Sequence, residues 1–564
     1  MKNTNKILII VLSIILALSS YFTIVKAVDL SKTKGSLTIT KYEKGKTDNS
    51  GNYVPLEGVT FNIYKVSETE TSTDKPAGNY TATARTGSNG KATFPNLELG
   101  RYLVVEESAP ANVTEKVKNF LVDIPSTNAV GNDILYDVEV EAKNETVYGS
   151  IILTKKNEKD EVMKGVTFIL QKQNGTNWED YPSSSSNSYN TNDNGQISLT
   201  GLPAGKFRFI ETNLGTNNGY ILDNQTAHEF TVALGENSTT VVTPESITVK
   251  NEKPTITKTL TSITKNSKNT NSITDGTTSA DLGDAVSYKI VVDVPSTVER
   301  LATFKIEDTM HAGLTFQSSS FKVKGVGTTN KDLTKDTDYK LTSTNNTWNL
   351  TFTNANIKQY KTLEITYNAI VNQNIDVTST GNINTVKLTY SNIVKKDYKN
   401  ASNTDKTQET ESSVKVYVGG LKIEKRETTR TGKLLSGAVF KIASSKANAN
   451  SGTFIKDENG NEITLTTVDG KAEYKGLAYG TYYLVETQAP TYDDNGTTKY
   501  YNLLNKPEQI TIGADTYTGA PIIIVNRKKT ILPKTGGFGT ALFTIAGLTL
   551  VVLGAVFYIK NRKE

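Results

Sequence analysis

Gly35-Ser36-Leu37-Thr38-Ile39-Thr40-Lys41 alternates polar and apolar residues and ends on a lysine. The pattern returns as Gly149-Ser150-Ile151-Ile152-Leu153-Thr154-Lys155 and as Gly420-Leu421-Lys422-Ile423-Glu424-Lys425. A period of two predicts a strand with one buried face. Each copy opens a long segment with the same plan. Gly58-Val59-Thr60-Phe61, Gly165-Val166-Thr167-Phe168 and Gly437-Ala438-Val439-Phe440 come next. Asn89-Gly90, Asn194-Gly195 and Asp469-Gly470 then mark tight turns. After them stand Tyr102-Leu103-Val104-Val105-Glu106, Phe207-Arg208-Phe209-Ile210-Glu211 and Tyr483-Leu484-Val485-Glu486. The segments close on Asn144, Asn251 and Asn526, at nearly equal distances from Glu106, Glu211 and Glu486. Such internal repetition marks tandem domains of one kind. Short strands and tight turns predict antiparallel β-sandwiches.

Residues 253–418 follow another pattern. They include Gly283-Asp284-Ala285-Val286-Ser287-Tyr288, Phe304-Lys305-Ile306-Glu307-Asp308-Thr309 and Asn384-Thr385-Val386-Lys387-Leu388-Thr389-Tyr390. This stretch is also strand-rich, and a distinct Ig-like sandwich is expected. The expected class is all-β, with tandem Ig-like sandwiches over residues 28–147, 148–252, 253–418 and 419–529. A chain of 564 residues has room for these four cores. No strongly amphipathic helix stands out between them.

Both ends read as targeting segments. Lys2 and Lys6 precede the apolar stretch Ile7 to Leu18, and Val25-Lys26-Ala27 offers a cleavage site. Residues 1–27 therefore read as a secretory signal peptide. At the other end, Leu532-Pro533-Lys534-Thr535-Gly536 precedes an uncharged run over 538–559 and the basic stub Lys560-Asn561-Arg562-Lys563. At about 1.5 Å per helical residue, that run can cross a hydrocarbon core. The stub would stay cytoplasmic.

Composition narrows the chemistry. The chain has no cysteine and only two histidines, His228 and His311. Thiolate nucleophiles and thiolate metal sites are thereby excluded, and a Ser-His-Asp triad or a His-rich zinc site has little support. Sixty-three basic residues against 58 acidic ones leave a net charge of +5, with the signs well mixed. No basic face interleaved with aromatics points to nucleic acid. Neither a cofactor nor a metal is expected.

The repeated lysine, glutamate and asparagine carry a specific chemistry. If opening and closing strands are neighbours, the three side chains meet inside. Desolvation pushes a buried amine and a buried carboxyl toward their neutral forms. A neutral lysine is a nucleophile. A neutral carboxyl can polarise the amide and shuttle protons. Held in contact, amine and amide can condense with loss of ammonia, leaving an isopeptide bond. A chain without cysteine would gain the stabilisation that disulfides give elsewhere.

These motifs resemble those of a known family. Leu532 to Gly536 with its span and basic tail resembles the LPXTG sorting signal of Gram-positive cell-wall proteins. The three repeats look like the Cna-B-type domains of Gram-positive surface proteins and sortase-assembled major pilins. Tyr482-Tyr483-Leu484-Val485-Glu486-Thr487-Gln488-Ala489-Pro490 is similar to the pilin E-box. Tyr102 to Glu106 with Ala109-Pro110 is nearly so, and Phe207 to Glu211 lacks the Ala-Pro. The resemblance implies pairs Lys41–Asn144 assisted by Glu106, Lys155–Asn251 by Glu211 and Lys425–Asn526 by Glu486. Residues 253–418 resemble the isopeptide-forming middle domain of the same pilins, where an aspartate assists. The matching residues are Lys258, Asp308 and Asn384, with Asn392 as the alternative to Asn384.

The resemblance also implies assembly. A sortase would recognise Leu532, Pro533 and Gly536, cut after Thr535 and pass its acyl group to an amine. Val138-Glu139-Val140-Glu141-Ala142-Lys143-Asn144 fits the frame of the major-pilin acceptor motif, with Glu-Ala where Tyr-Pro is usual. It nominates Lys143 as acceptor, with Lys250 as the alternative. The implied function is that of a structural shaft subunit in a covalent surface fimbrium, not an enzyme on external substrates. The implied partners are a sortase, other copies of the chain, accessory pilins, peptidoglycan and host extracellular matrix. The other reading is a wall-anchored adhesin or accessory pilin binding host matrix.

Overall fold

The computed structural model describes residues 29, 31–182, 187–234, 241–242, 246–265, 279–395, 406–529 and 539–562. The expected signal peptide and the sorting residues Leu532, Pro533, Thr535 and Gly536 lie outside them. The described chain is all-β apart from a few short helical turns and one C-terminal helix.

The first sandwich runs from Lys34 to Thr146. Its opening strand, Lys34–Thr47, lies between Lys91–Glu98 and the closing strand Asp137–Thr146. The facing sheet carries Thr60–Val66 beside Gly100–Ser108. Leu37, Ile39 and Lys41 share one parity and are each 0 % exposed, so the lysine takes the inward place the alternation gives it. Phe61, Ile63, Tyr102 and Val104 fill the core from the other side.

The second sandwich, from Gly149, and the fourth, from Gly419, repeat this plan. Gly149–Asn157 lies between Gln196–Leu202 and Ser246–Asn251. Gly419–Glu427 lies between Lys471–Leu477 and Ile522–Asn526. The expected antiparallel pairing fails at one place in each of the three: opening and closing strands run parallel. Entering and leaving strands of one sheet can do so because the other strands intervene as a crossover between them.

Turn chemistry places the lysines. Gly90, Gly195 and Gly470 have φ of +73°, +68° and +73°. Their carbonyls accept the backbone N–H of Lys41, Lys155 and Lys425, each at 2.7 Å. A Cβ on Gly90 would meet the Lys41 carbonyl oxygen at 2.5 Å, and one on Gly195 would meet that of Lys155 at 2.7 Å. Only glycine serves in that left-handed turn at that approach.

The third sandwich is built differently. One five-stranded sheet contains Ile256–Thr264, Ala285–Asp293 and Tyr360–Val371. The other contains Phe304–Met310, Asn382–Ser391 and Thr407–Val416. The paired strands named here are antiparallel. Between the sheets lies an aromatic core of Tyr288, Phe316, Trp348 and Tyr367. Its loop residues Ser279 to Leu282 dock on the fourth sandwich. Asp281 Oδ1 accepts the Ala478 N–H at 2.6 Å, and the Leu282 N–H donates to the Gly476 carbonyl at 2.9 Å. Lys265 donates to Asp281 at 2.6 Å and to Asp284 at 2.9 Å behind this contact.

The expected apolar span over 538–559 is a helix over Gly539–Lys560 within the described residues. It is long and apolar enough to cross a membrane.

Candidate functional site

Three buried clusters repeat one construction. Lys41 pairs in register with Ala142, Lys155 with Val249 and Lys425 with Ile524. Asn144, Asn251 and Asn526 each lie two residues beyond that partner. Same-face diagonal neighbours on paired strands are within reach of long side chains. The acid comes from the facing sheet. Glu106, Glu211 and Glu486 pair with Phe61, Phe168 and Phe440. The ammonium of Lys41 lies 5.6 Å over the Phe61 ring and that of Lys425 lies 5.2 Å over Phe440.

The polar contacts close each triad. In the first, the Lys41 amine donates to Glu106 Oε2 at 2.8 Å, and Asn144 Nδ2 donates to Glu106 Oε1 at 2.5 Å. In the second, the Lys155 amine donates to Asn251 Oδ1 and lies 3.5 Å from Glu211 Oε1, too far for a good hydrogen bond. Asn251 Nδ2 donates to Glu211 Oε2 at 2.9 Å. In the fourth sandwich the Lys425 amine donates to Asn526 Oδ1 at 2.5 Å and pairs with Glu486 Oε1 at 3.0 Å. Asn526 Nδ2 donates to Glu486 Oε1 at 2.8 Å. One backbone N–H steadies each acid: Val117 at 3.2 Å, Asp223 at 3.3 Å and Leu504 at 2.9 Å.

Burial shifts the three amines and one of the acids toward their neutral forms. It depresses the amines of Lys41 and Lys425, against the pull of Glu106 and Glu486. Lys155 is pushed down to about 8. Glu211 is pushed up by the same desolvation, against Lys155 and Asn251. An amine drawn toward neutrality therefore faces an amide whose nitrogen is held on a carboxyl.

In the third sandwich Lys258 donates to both Asp308 Oδ2 and Asn384 Oδ1. Burial lowers Lys258 to about 8 and raises Asp308. Asn384 lies in the cluster, whereas Asn392 lies half-buried beyond the strand end at Ser391. Tyr367 was not among the residues expected from sequence. Its hydroxyl donates to both Asp308 oxygens at 3.0 Å and accepts from Asn384 Nδ2 at 2.9 Å. Its strand parity marks it only as a core residue. Phe61, Phe168 and Phe440 were also missed as site residues, although the Gly-Val/Ala-x-Phe signal was present in all three repeats.

Lys143 takes the opposite face from Asn144 on the closing strand. Its ammonium lies 3.3 Å from the centroid of the Tyr53 ring. With Lys44, Glu115, Lys116, Lys118 and Glu145 it lines an open cavity of about 310 Å³. Lys250 is instead ion-paired with Asp160 at 2.8 Å.

Residues 28–135, 149–253 and 419–519, more than half the chain, match the SpaA model, a prealbumin-like fold domain. Residues 525–564 match the LPXTG cell wall anchor motif. Fimbrial subunit type 2 of Actinomyces naeslundii is 27 % identical over 157 residues, which cover 20 % of this chain. The match spans only 29 % of that curated relative's length. Among solved structures, BcpA, the major pilin subunit of Bacillus cereus, is 24 % identical with a TM-score of 0.44; the alignment covers 68 % of this chain and 100 % of that one. The full-length major pilin SpaD of Corynebacterium diphtheriae is 19 % identical with a TM-score of 0.34, over 90 % of this chain and 99 % of that one.

Proposed function

The chain belongs to the SpaA prealbumin-like domain family, and on that premise we propose that it is the shaft subunit of a covalently polymerised, cell wall-anchored pilus. Its role is structural. A sortase cuts after Thr535 and joins that residue to Lys143 of the next copy. Peptidoglycan takes the place of Lys143 for the last subunit.

One observation carries this reading. A single closing strand turns Asn144 into the Lys41 cluster and Lys143 out to an open cavity, on a chain that also ends in an anchor motif. Donor and acceptor thus reside in every copy, which is what a head-to-tail polymer needs. Inside each copy the four clusters condense. The neutral amine attacks the asparagine Cγ, the new C–N bond forms, the old one breaks, and ammonia leaves with a proton passed through the acid. No external enzyme takes part in that step.

Wall extracts boiled in SDS and blotted test the assembly. A ladder is expected from the wild type and from Lys250→Ala, with its loss in Lys143→Ala. A ladder that survives Lys143→Ala removes that residue from the joint. Monomer alone from the wild type would favour an anchored adhesin.

A further inference from the structure

We propose that Tyr367 is a catalytic residue of the third crosslinking site: it relays a proton from Asp308 to the amide nitrogen that leaves Asn384. The inference rests on the isopeptide reading above and assigns a part that reading leaves open.

The reason is one of reach. In the other three clusters a glutamate oxygen holds the leaving nitrogen directly, at 2.5, 2.9 and 2.8 Å. In the third the acid is an aspartate, one methylene shorter. There Asn384 Nδ2 donates to the Tyr367 hydroxyl, at 2.9 Å. That hydroxyl in turn contacts Asp308. It fills the gap the shorter acid leaves. Bulk water has little access, since Asp308 and Asn384 are 0 % exposed and Tyr367 is 1 % exposed. The ring is held in place by stacking on Tyr288 at 5.2 Å and by an edge contact with Trp348 at 5.5 Å.

The step balances as follows. The neutral Lys258 amine adds to Asn384 Cγ and forms the C–N bond. Cγ is now tetrahedral, so the lone pair of the former amide nitrogen is no longer conjugated and can accept a proton. Tyr367 gives it a proton and takes one from the Asp308 carboxyl. Ammonia departs as the Cγ–Nδ2 bond breaks, and Asp308 recovers a proton from the substituted Lys258 nitrogen. Tyrosine and aspartate end as they began, and the net loss is one ammonia. General acid catalysis of this kind is worth roughly 10²–10⁴-fold.

The test is the intact mass of the full soluble chain, with crosslinked peptides mapped after digestion. Wild type is expected to lack four ammonias, about 17 Da each. Tyr367→Phe keeps the ring and removes the relay. It is expected to emerge with the other three bonds complete and the Lys258–Asn384 bond mostly unmade, closing at least a hundredfold more slowly. Tyr288→Phe removes the stacked neighbour's hydroxyl, which also faces Asn384 but lies outside the Asp308–Tyr367 contact, and is expected to leave all four bonds complete. Adding Asp308→Glu to Tyr367→Phe supplies the longer acid and is expected to restore the fourth loss. A complete fourth bond in freshly purified Tyr367→Phe, or an equal deficit in Tyr288→Phe, overturns the relay. A wild-type chain with Lys258 and Asn384 both intact overturns the crosslink itself.

Discussion

Lys258 and Asn384 belong to strands in opposite sheets of their sandwich, whereas Lys41 and Asn144 are neighbours within one sheet. A bond between the first pair staples sheet to sheet. A bond between the second ties the opening strand to the closing one. Lys258 and Asn384 are 126 residues apart in sequence, and closing such a loop is worth about 5 kcal/mol in the disulfide model. Asp308→Ala should therefore lower the thermal midpoint of the third sandwich in calorimetry by several degrees and leave the other transitions in place. Unchanged transitions would mean that no bond had formed there.

Each acid should control its own site alone. Glu106→Ala and Glu486→Ala should each retain one ammonia, about 17 Da after correction for the substitution. The retained amide should map to Asn144 and Asn526 respectively. Loss of several bonds from one substitution would show that the sandwiches do not react independently.

Blocking the reaction should expose the depressed lysine as a pH effect. Asn251→Ala leaves Lys155 as a free amine, at about 8 in the folded chain and near about 10.4 when unfolded. Between these values the unfolded chain binds more protons, so stability rises with pH across the window and is lowest below it. The slope approaches about 1 kcal/mol per pH unit. Trp178 sits in the second sandwich and only one other tryptophan exists, Trp348. Urea midpoints followed by Trp178 fluorescence in a Trp348→Phe background would read this directly. A flat profile from pH 8 to pH 10 contradicts the depressed lysine.

The contact of Asp281 with Ala478 predicts local exchange behaviour. Asp281→Ala removes the acceptor of that N–H and one of the two carboxylates on Lys265. Loss of a hydrogen bond to a charged group is worth about 1.5–3 kcal/mol. Amide exchange at Ala478 should speed up by tenfold or more. Unaltered protection there would mean that other contacts hold the loop.

Much of this could be read in the sequence, for physical reasons. Period-two alternation fixed which residues of Gly35 to Lys41 face inward, so Lys41 was exposed as an anomaly among apolar neighbours. The Asn-Gly turns were equally legible, because few residues accept positive φ. The parallel pairing of opening and closing strands was not, since alternation looks the same in either direction. Tyr367 was hidden for a similar reason. A tyrosine on an inward parity reads as core packing, and only in the folded chain does its hydroxyl meet both Asp308 and Asn384.

The parallel pairing has a mechanical consequence. In the second sandwich the chain enters at the start of Gly149–Asn157 and leaves from the far end of Ser246–Asn251. A pull on the two ends shears these strands lengthwise instead of peeling them apart. With Lys155 bonded to Asn251, a force arriving through Lys143 would cross from one to the other and bypass everything between. Residues 156–250 would then carry no load, and their loops could vary in sequence without weakening the proposed polymer.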